Sequence, residues 1–304
     1  MRMSASAWLK MKRSWELYVL LLIPVAYLVI FKYIPMVGVQ IAFRDFNPIS
    51  GIWGSPWVGL KHFDKFFSSP NFTVLLKNTL VINVYSILAG FPIPIMLALA
   101  LNEIRTGFFK RSVQMITYTP HFISTVVMVS IIILMLSPHV GIVERVLTYF
   151  GMEDTNIMGE PDYFKHVYAW SGIWQQMGYN SIIYIAALSS VDPSLYEAAR
   201  IDGASRWRKI LHIDLPALVP IMVVMLILKT GEVMGTEYEK IYLMQNPLNL
   251  SASEVISTYV YKVGLLGAQF SFSTAVGLFN NIVNFILLLA VNYTARKYSE
   301  TSLW

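Results

Sequence analysis

Three polar side chains recur at four-residue intervals inside one of the most apolar stretches of this 304-residue chain. They are Gln176, Asn180 and Tyr184, and residues with this spacing lie on one face of a helix. Burying a polar group in apolar surroundings is costly unless the group forms hydrogen bonds. Because amide and hydroxyl groups both donate and accept hydrogen bonds, the stripe predicts a surface that binds a polar solute.

Other polar and aromatic residues lie within or at the ends of the apolar stretches. Together with the stripe they form the candidate solute-pathway set: Trp174, Gln176, Tyr179, Asn180, Tyr184, Lys229, Glu232, Asn280 and Asn284. Amide and carboxylate groups beside aromatic faces are suited to holding a carbohydrate. A structural role stays open for each of them. Asn and Gln also form hydrogen bonds between membrane helices, and Lys229 is placed to pair with Glu232 one turn away.

A second candidate site is the charged segment 189–216, which separates two apolar stretches. Asp192-Pro193 is typical of a helix start, with an acceptor at the N-cap and a ring fixed at a helical φ angle. Gly203 permits a left-handed turn, and Leu215-Pro216 leads into the next apolar stretch. The segment therefore predicts two short helices joined by a sharp turn, a shape suited to packing in a groove of another protein.

Several other chemistries lack the residues that they need. The chain has no cysteine, which excludes disulfides and thiolate sites. Its five histidines have no metal-binding spacing, and it contains no Gly-rich phosphate-binding motif of the G-x-x-x-x-G-K-[ST] type. No Ser, His and Asp set lies at a plausible membrane depth. We therefore expect a chain that is not an enzyme and that binds no metal or cofactor itself.

The composition indicates the environment of the helices that carry these residues. Hydrophobic residues make up 56% of the chain and charged residues 13%, whereas a soluble domain has about 25% charged residues. A chain this apolar has too little polar surface to cover a globule in water. A lipid bilayer is therefore the expected solvent, and in a bilayer the backbone is expected to be helical.

Six stretches are long and apolar enough to cross a bilayer, which takes roughly 20 residues in a helix. They are 17–42, 79–101, 116–136, 167–188, 217–234 and 272–293. Proline residues predict kinks in the first two. The segment 141–150 is amphipathic and too short to cross, which predicts an interfacial position. The expected fold is an all-α integral membrane protein with six transmembrane helices.

The positions of Lys and Arg predict the orientation of the chain. Thirteen of the 23 basic residues fall on the side that holds both termini and the loops 102–115 and 189–216. Because cytoplasmic loops carry an excess of basic residues, both termini, including the segment 1–16, are expected in the cytoplasm. The long, aromatic-rich loops 43–78, 137–166 and 235–271 are then external. The net charge of +5 fits this topology, so we expect a lipid bilayer and no nucleic acid as partner.

The charged loop carries a spaced pattern: Glu197-Ala198-Ala199, three residues, Gly203, nine residues, Ile213, one residue, Leu215-Pro216. This pattern resembles, without a departure, the EAA loop of ABC importer permeases. The segments "WVGLKHFDKFF", "ISTYVYKVGL" and "SETSLW" look like the oligosaccharide branch of the carbohydrate-import permeases. That branch includes importers for alginate, aldouronate and pectin-derived oligosaccharides. The resemblance covers nearly the whole chain and implies a single transmembrane permease domain, 1–304.

The resemblance implies the type I ABC importer permease fold, with a cytoplasmic coupling helix that docks on an ATPase subunit. It also implies the ATPase-coupling residues: Glu197, Ala198, Ala199, Asp202, Gly203, Ile213, Leu215 and Pro216. The implied partners are a second homologous permease subunit, two ATPase subunits that bind ATP and Mg, and an extracytoplasmic solute-binding protein.

The expected function is that of a permease subunit of an ATP-driven, binding-protein-dependent importer in the bacterial cytoplasmic membrane, which translocates an oligosaccharide. The family branch points to a uronate-containing cargo, and Lys32 and Lys229 inside the predicted spans could attract its carboxylates. For Lys32, near the external end of its span, a side chain that extends to the interface is the favoured role, and the role of Lys229 stays open. Two alternatives stay open. One is an ion-coupled secondary transporter, which would be expected to show two comparable inverted halves. The other is an importer of a non-sugar solute.

Overall fold

The computed structural model describes residues 13–138, 140–151 and 156–298. Residues 1–12 of the predicted cytoplasmic segment 1–16 lie outside the described residues. The C-terminal segment "SETSLW", residues 299–304, lies outside them as well. Within the described residues the chain is helical. Its single pair of bridging extended residues there is Arg44 with Trp57.

The described α-helices follow one another along the chain without a sheet between them. In order they are α1 (Trp15–Leu28), α2 (Gly51–Gly54), α3 (Lys61–Phe67), α4 (Phe72–Gly90), α5 (Pro92–Glu103), α6 (Phe108–Tyr118), α7 (Thr125–Met135), α8 (Ile142–Tyr149), α9 (Pro161–Ser189), α10 (Pro193–Ile201), α11 (Arg206–Lys209), α12 (Leu215–Thr230), α13 (Tyr238–Met244), α14 (Leu250–Ser253), α15 (Ile256–Val260) and α16 (Phe270–Tyr298). Tighter or wider helical turns extend several of them, at Val29–Tyr33, Ile34–Phe43, Thr119–Phe122, Ile210–Asp214 and Tyr261–Leu266.

The chain forms two compact units. The first contains residues 13–67 and Val263–Leu278, and the second contains residues 68–262 and 279–298. In the first unit, the helical segment Trp15–Phe43 exposes nearly all of its apolar side chains, as expected for a helix whose solvent is lipid. All the candidate site residues belong to the second unit. The predicted single permease domain stays a prediction.

Five of the six predicted spans correspond to continuous helical segments. Four of these segments are long and apolar enough to cross a membrane: Trp15–Phe43, Phe72–Glu103, Arg206–Thr230 and Phe270–Lys297. The predicted fourth span lies on α9, which has 29 residues and is therefore about 44 Å long. This helix is not among the four most apolar ones because its polar side chains lower its mean hydropathy.

The predicted third span, 116–136, is not one straight helix. The segments Phe108–Phe122 and Thr125–Met135 meet at 102°. Pro120 lies in the tight turn that ends the first segment, and Ser124 caps α7, its hydroxyl accepting a hydrogen bond from the backbone amide of Val127. The sequence analysis placed kinks only in the first two spans, and this sharp bend was not among them. It arises because a proline ends one helix and a capping serine begins the next.

The long helix α9 is central to the second unit. It packs against α4, α5, α6 and α12. Tyr184 and Leu188 from α9 join Ile95, Ala98 and Leu218 in one buried apolar cluster. At Gly178 the backbone of α6 comes so close that a β-carbon would collide with the carbonyl of Thr117. This packing fixes the rotation of α9 about its axis, and with it the direction of the polar stripe.

Candidate functional site

One face of α9 lines a cavity of about 610 Å³ in the second unit. The α9 residues that border it are Tyr168, Ala169, Gly172, Ile173, Gln176, Met177, Asn180 and Tyr184, so every fourth residue from Tyr168 to Tyr184 is among them. At 1.5 Å per residue this wall is about 24 Å long. The three members of the predicted stripe thus lie side by side on a continuous cavity wall.

The other walls mix apolar, amide and charged groups. They are formed by Asn83, Ser86, Ile87 and Gly90 of α4, Phe91 between α4 and α5, Pro94 of α5, Met225 and Lys229 of α12, the following residues Glu232, Gly235 and Glu237, and Lys240 of α13. Ligand sites typically have volumes of about 300–1,000 Å³, with apolar walls and a few polar groups that fix orientation. The cavity has the size and the lining of such a site.

Asn83 and Ser86 are cavity residues that the sequence pattern did not single out. The Asn83 amide donates to the Thr79 carbonyl (2.8 Å). The Ser86 hydroxyl is buried and has no hydrogen-bond partner among the described residues. Both are polar residues within an apolar span and lie three positions apart, the same kind of signal that identified the stripe on α9. Applied to the second span, this signal would have found them.

Trp174 and Tyr179 lie outside the cavity lining, and both side chains are exposed. The ring of Tyr179 stacks on that of His121, with 3.8 Å between centroids and 5° between planes. His121 Nδ1 lies 2.7 Å from Gln176 Oε1. Tyr179 therefore holds His121, and His121 in turn orients an amide that borders the cavity.

Asn280 and Asn284 also lie outside the cavity lining. Both bind the backbone of Met234, beyond the end of α12. Asn284 Oδ1 accepts from the Met234 amide (2.8 Å), and Asn280 Nδ2 donates to the Met234 carbonyl (3.0 Å). Their geometry matches a structural role, hydrogen bonding between elements. They fasten α16 to the segment that carries Glu232 and Gly235.

Lys229 and Glu232 both border the cavity. The suggested ion pair between them is not formed, since none of the ion pairs within the described ranges includes either residue. The contact between them is a backbone hydrogen bond from the Glu232 amide to the Lys229 carbonyl (3.2 Å). Both charged groups are thus free to face a solute.

Lys240 is a second cavity cation that the sequence pattern did not single out. Its side chain is only 2% exposed. Its ammonium donates to the Tyr168 carbonyl (2.9 Å) and lies 4.6 Å from the centre of the Tyr168 ring. Burial lowers the pKa of Lys240 to about 8, with the nearby Glu237 carboxylate opposing the shift. Because a lysine in a predicted external loop is ordinary, no sequence signal marked it.

The second candidate site is the hairpin formed by α10 and α11, and its predicted helix–turn–helix shape is confirmed. Asp192 caps α10, its carboxylate accepting from the Ser194 amide (2.9 Å). Gly203 adopts a left-handed conformation with φ of +67°. Ser205 caps α11, and a wide helical turn at Ile210–Asp214 then leads into α12. The hairpin is therefore continuous with a helix that lines the cavity.

The predicted coupling residues differ in exposure. Glu197, Ala198, Asp202, Gly203 and Pro216 are exposed, whereas Ala199, Ile213 and Leu215 are partly buried. Two large apolar side chains accompany the exposed group, Ile201 at 87% and Trp207 at 74% exposure. Exposed apolar groups beside polar ones are typical of a surface that another protein covers.

A buried polar cluster, Asn102–Tyr196–Asp214, ties the hairpin together. The side chain of Asp214 is fully buried. Its Oδ1 accepts from the Tyr196 hydroxyl (2.5 Å) and from Asn102 Nδ2 (3.4 Å), while Oδ2 has no hydrogen-bond partner in the described part of the chain. Burial and this hydrogen bond raise the pKa of Tyr196 to about 12. The cluster joins α10, the start of α12 and the end of α5.

An ion pair reinforces this connection. Lys209 Nζ lies 3.4 Å from Glu103, the last residue of α5. Both side chains are largely shielded from solvent, so the pair contributes more than an exposed one would. The hairpin is thus attached to α5 as well as to α12, and both helices contribute residues to the cavity wall.

Comparison with known proteins shows where this arrangement recurs. Residues 90–300 match the family described as binding-protein-dependent transport system inner membrane component. The polygalacturonan/rhamnogalacturonan transport system permease protein YteP of Bacillus subtilis (strain 168) is 44% identical, over 97% of this chain and 92% of that protein. Protein LplB of the same strain is 40% identical over the same shares of the two chains.

Solved structures show the same fold. One is a crystal structure of a bacterial ABC transporter involved in the import of the acidic polysaccharide alginate. It has a TM-score of 0.88 and 39% identity, and the match covers 96% of this chain and 99% of that one. Another is a bacterial alginate ABC transporter in complex with an alginate pentasaccharide-bound periplasmic protein. It has a TM-score of 0.89 and 38% identity, with 97% and 99% coverage.

Proposed function

We propose a cargo and a coupling route for this chain, which belongs to the family of binding-protein-dependent transport system inner membrane components. It is an all-α membrane permease subunit of an ABC importer for a sugar or oligosaccharide. None of the relatives is described as an ion-coupled transporter. Permeases for a non-sugar solute, sn-glycerol 3-phosphate, are only 23% identical, against 44% for the polygalacturonan/rhamnogalacturonan permease. The cargo's chemistry, the coupling residues and the partners are the proposed part.

The cargo is an oligosaccharide that contains uronic acid. The observation that carries this proposal is the cavity, whose wall is formed by the polar face of α9 and whose other walls include two lysines. Amide groups of Asn83, Gln176 and Asn180 suit sugar hydroxyls, and the lysines suit carboxylates. Relatives that handle polygalacturonan and alginate, both acidic polymers, support the same cargo.

The energy for transport comes from ATP hydrolysis by separate subunits. Two ATPase subunits bind ATP and Mg, and one of them docks on the hairpin of α10 and α11, where Ile201 and Trp207 are exposed beside Glu197. Movement of the hairpin passes to α12 through the chain, and to α5 through the Asn102–Tyr196–Asp214 cluster and the Glu103–Lys209 pair. Because α5 and α12 both line the cavity, this movement changes its access.

The remaining partners follow from the same arrangement. A second, related permease subunit completes the translocation pathway, and an extracytoplasmic binding protein delivers the sugar to the external loops. Both termini and the hairpin lie in the cytoplasm, on the side with the excess of basic residues.

Reconstitution of the assembled complex in lipid vesicles tests this proposal. We expect mild detergent to extract the chain with one related permease and two ATPase copies. Vesicles with ATP inside and the binding protein outside should then accumulate labelled trigalacturonate, and a non-hydrolysable ATP analogue should stop the uptake. A chain that purifies alone and moves the trisaccharide on an ion gradient would refute the proposal.

A further inference from the structure

Lys240 carries a buried charge without a counter-charge in contact with it. Its side chain is 2% exposed, and it takes part in none of the ion pairs within the described residues. Buried charges are normally paired, because removing an ammonium from water is expensive. The ammonium has three donors, and the Tyr168 carbonyl uses one of them (2.9 Å). The Glu237 carboxylate acts on Lys240 electrostatically but forms no ion pair with it, so the ammonium lacks an anion in direct contact.

Lys240 borders the cavity, and its ammonium lies against α9. A β-carbon at Gly172 would lie 3.0 Å from Lys240 Nζ, so the missing side chain there makes room for the ammonium against α9. Tyr168 and Gly172 begin the cavity-lining face of α9, and α13 lies in the predicted external loop 235–271. Lys240 thus stands at the external end of the 24 Å wall.

The charged side chains that line the cavity sum to zero, so the cavity as a whole has no net charge that would attract anions. Lys229 and Lys240 are balanced by Glu232 and Glu237, which border the same space. A carboxylate is therefore attracted only where one of the lysines faces it directly. Of the two, Lys240 is the one held in place, by the Tyr168 carbonyl and by the face of the Tyr168 ring.

We propose that Lys240 is a carboxylate subsite, which binds a uronate group of the cargo at the external end of the cavity. This inference rests on the proposed acidic cargo and adds the residue that recognises the acid. The competing role is structural: Lys240 fastens α13 to α9 through the Tyr168 carbonyl and never contacts a solute. If Lys240 binds the carboxylate, loss of its ammonium lowers the preference of the transporter for an acidic sugar over the neutral form of the same sugar. If its role is structural, this preference does not change.

The test compares uptake of trigalacturonate with uptake of its fully methyl-esterified form by the reconstituted complex. The two trisaccharides share rings and linkages and differ in charge. For each variant we compare the ratio of acid uptake to ester uptake. This ratio does not depend on the amount of folded complex, because both sugars are measured on the same preparation. We expect Lys240→Gln, which keeps a donor for the Tyr168 carbonyl, and Lys240→Met, which keeps none, to lower this ratio about tenfold, the effect of one charge-assisted hydrogen bond.

Lys77→Met is the matched control, because Lys77 is an exposed cation near the start of α4, outside the cavity. Its ratio should equal that of the unmodified complex. An unchanged ratio in Lys240→Gln, or equal losses of acid and ester uptake in both variants, would refute the subsite and leave the acidic cargo standing. Equal uptake of acid and ester by the unmodified complex would refute the acidic cargo and the subsite together.

Discussion

At the residue scale, several buried groups of this permease lack a partner that burial normally requires, and three of them belong to the two candidate sites. Within the described residues, the Ser86 hydroxyl and Asp214 Oδ2 form no hydrogen bond, and Lys240 forms no ion pair. An unsatisfied buried polar group costs about 1–3 kcal/mol. Ser86 and Lys240 border the cavity, whereas Asp214 lies where the hairpin meets α12. These three groups lie where a transporter has to bind a solute or move. Other buried atoms without a hydrogen-bond partner among the described residues lie outside the cavity lining: Arg44 Nε, Gln245 Oε1 and Asn280 Oδ1.

We expect Tyr196→Phe to uncouple ATP hydrolysis from transport. The substitution removes the hydroxyl that donates to the buried Asp214 carboxylate, leaving Asn102 as its hydrogen-bond donor. Loss of this link, worth about 1–3 kcal/mol, should lower sugar uptake several-fold while ATP hydrolysis persists. Uptake and ATP turnover measured in the same vesicles give the number of ATP molecules used per sugar, which should rise.

Tyr293→Phe is the matched control, since Tyr293 is 70% exposed on α16. Its ratio of ATP used to sugar moved should not change. A proportional fall of uptake and ATP turnover in Tyr196→Phe would mean that the cluster merely stabilises the chain. Asp214→Asn is informative as well, because it keeps an oxygen that accepts from Tyr196 but removes the charge.

At the element scale, the hairpin depends on a backbone turn. Gly203 has φ of +67°, and no described atom lies within 4 Å of the place where its β-carbon would stand. A side chain at this exposed position therefore meets no obstacle in its own chain. Any effect of a substitution must come from strain in the left-handed conformation or from contact with a partner.

We expect Gly203→Asp to abolish transport and transport-coupled ATP hydrolysis while the protein still inserts in the membrane. The new carboxylate stands on the surface that is proposed to dock on the ATPase. Gly203→Asn is the matched control, because both residues tolerate a left-handed conformation and only one carries a charge. Uptake, ATP turnover and the amount of chain in the membrane should be measured together. Normal transport by Gly203→Asp would contradict the role given to Gly203.

The contact between α6 and α9 provides a prediction about packing. A β-carbon at Gly178 would collide with the Thr117 carbonyl, so Gly178→Ala must push the two helices apart. Such overpacking typically costs about 1–3 kcal/mol. We expect a lower unfolding temperature for the purified protein, measured by intrinsic tryptophan fluorescence in detergent.

Gly277→Ala is the control for this substitution, because its β-carbon would meet no atom within 4 Å in the described parts of the chain. Both glycines lie inside long helices, where alanine is favoured by about 1 kcal/mol. Gly277→Ala should therefore keep or raise the unfolding temperature. An unchanged temperature for Gly178→Ala would show that α6 and α9 pack less closely than described.

At the scale of the whole molecule, the orientation is open to a direct test because the chain has no cysteine. Single cysteines can be placed at two exposed sites, Ser50→Cys in a predicted external loop and Thr106→Cys in a predicted cytoplasmic one. In intact cells, a membrane-impermeant maleimide should label the first and spare the second until the membrane is opened. The reverse pattern would overturn the orientation deduced from Lys and Arg.

The sequence by itself determined the features that depend on local chemistry. Apolar length predicted the membrane helices, the Asp192-Pro193 start and Gly203 predicted the hairpin, and four-residue spacing placed Gln176, Asn180 and Tyr184 on one face of α9. The spaced pattern in the hairpin indicated the family, which the comparisons confirm. Each signal lies within about twenty residues, where helix geometry fixes which side chains are neighbours.

Only the tertiary structure decided which polar residues face the cavity and which join elements. Asn83 and Ser86 border the cavity, whereas Asn280 and Asn284 bind the Met234 backbone, although all four are polar residues in apolar helices. Spacing gives the relative directions of side chains on one helix, but the rotation of that helix against its neighbours is set by packing. For the same reason, the partners of Asp214 and the burial of Lys240, both set by residues distant in sequence, had no local signal.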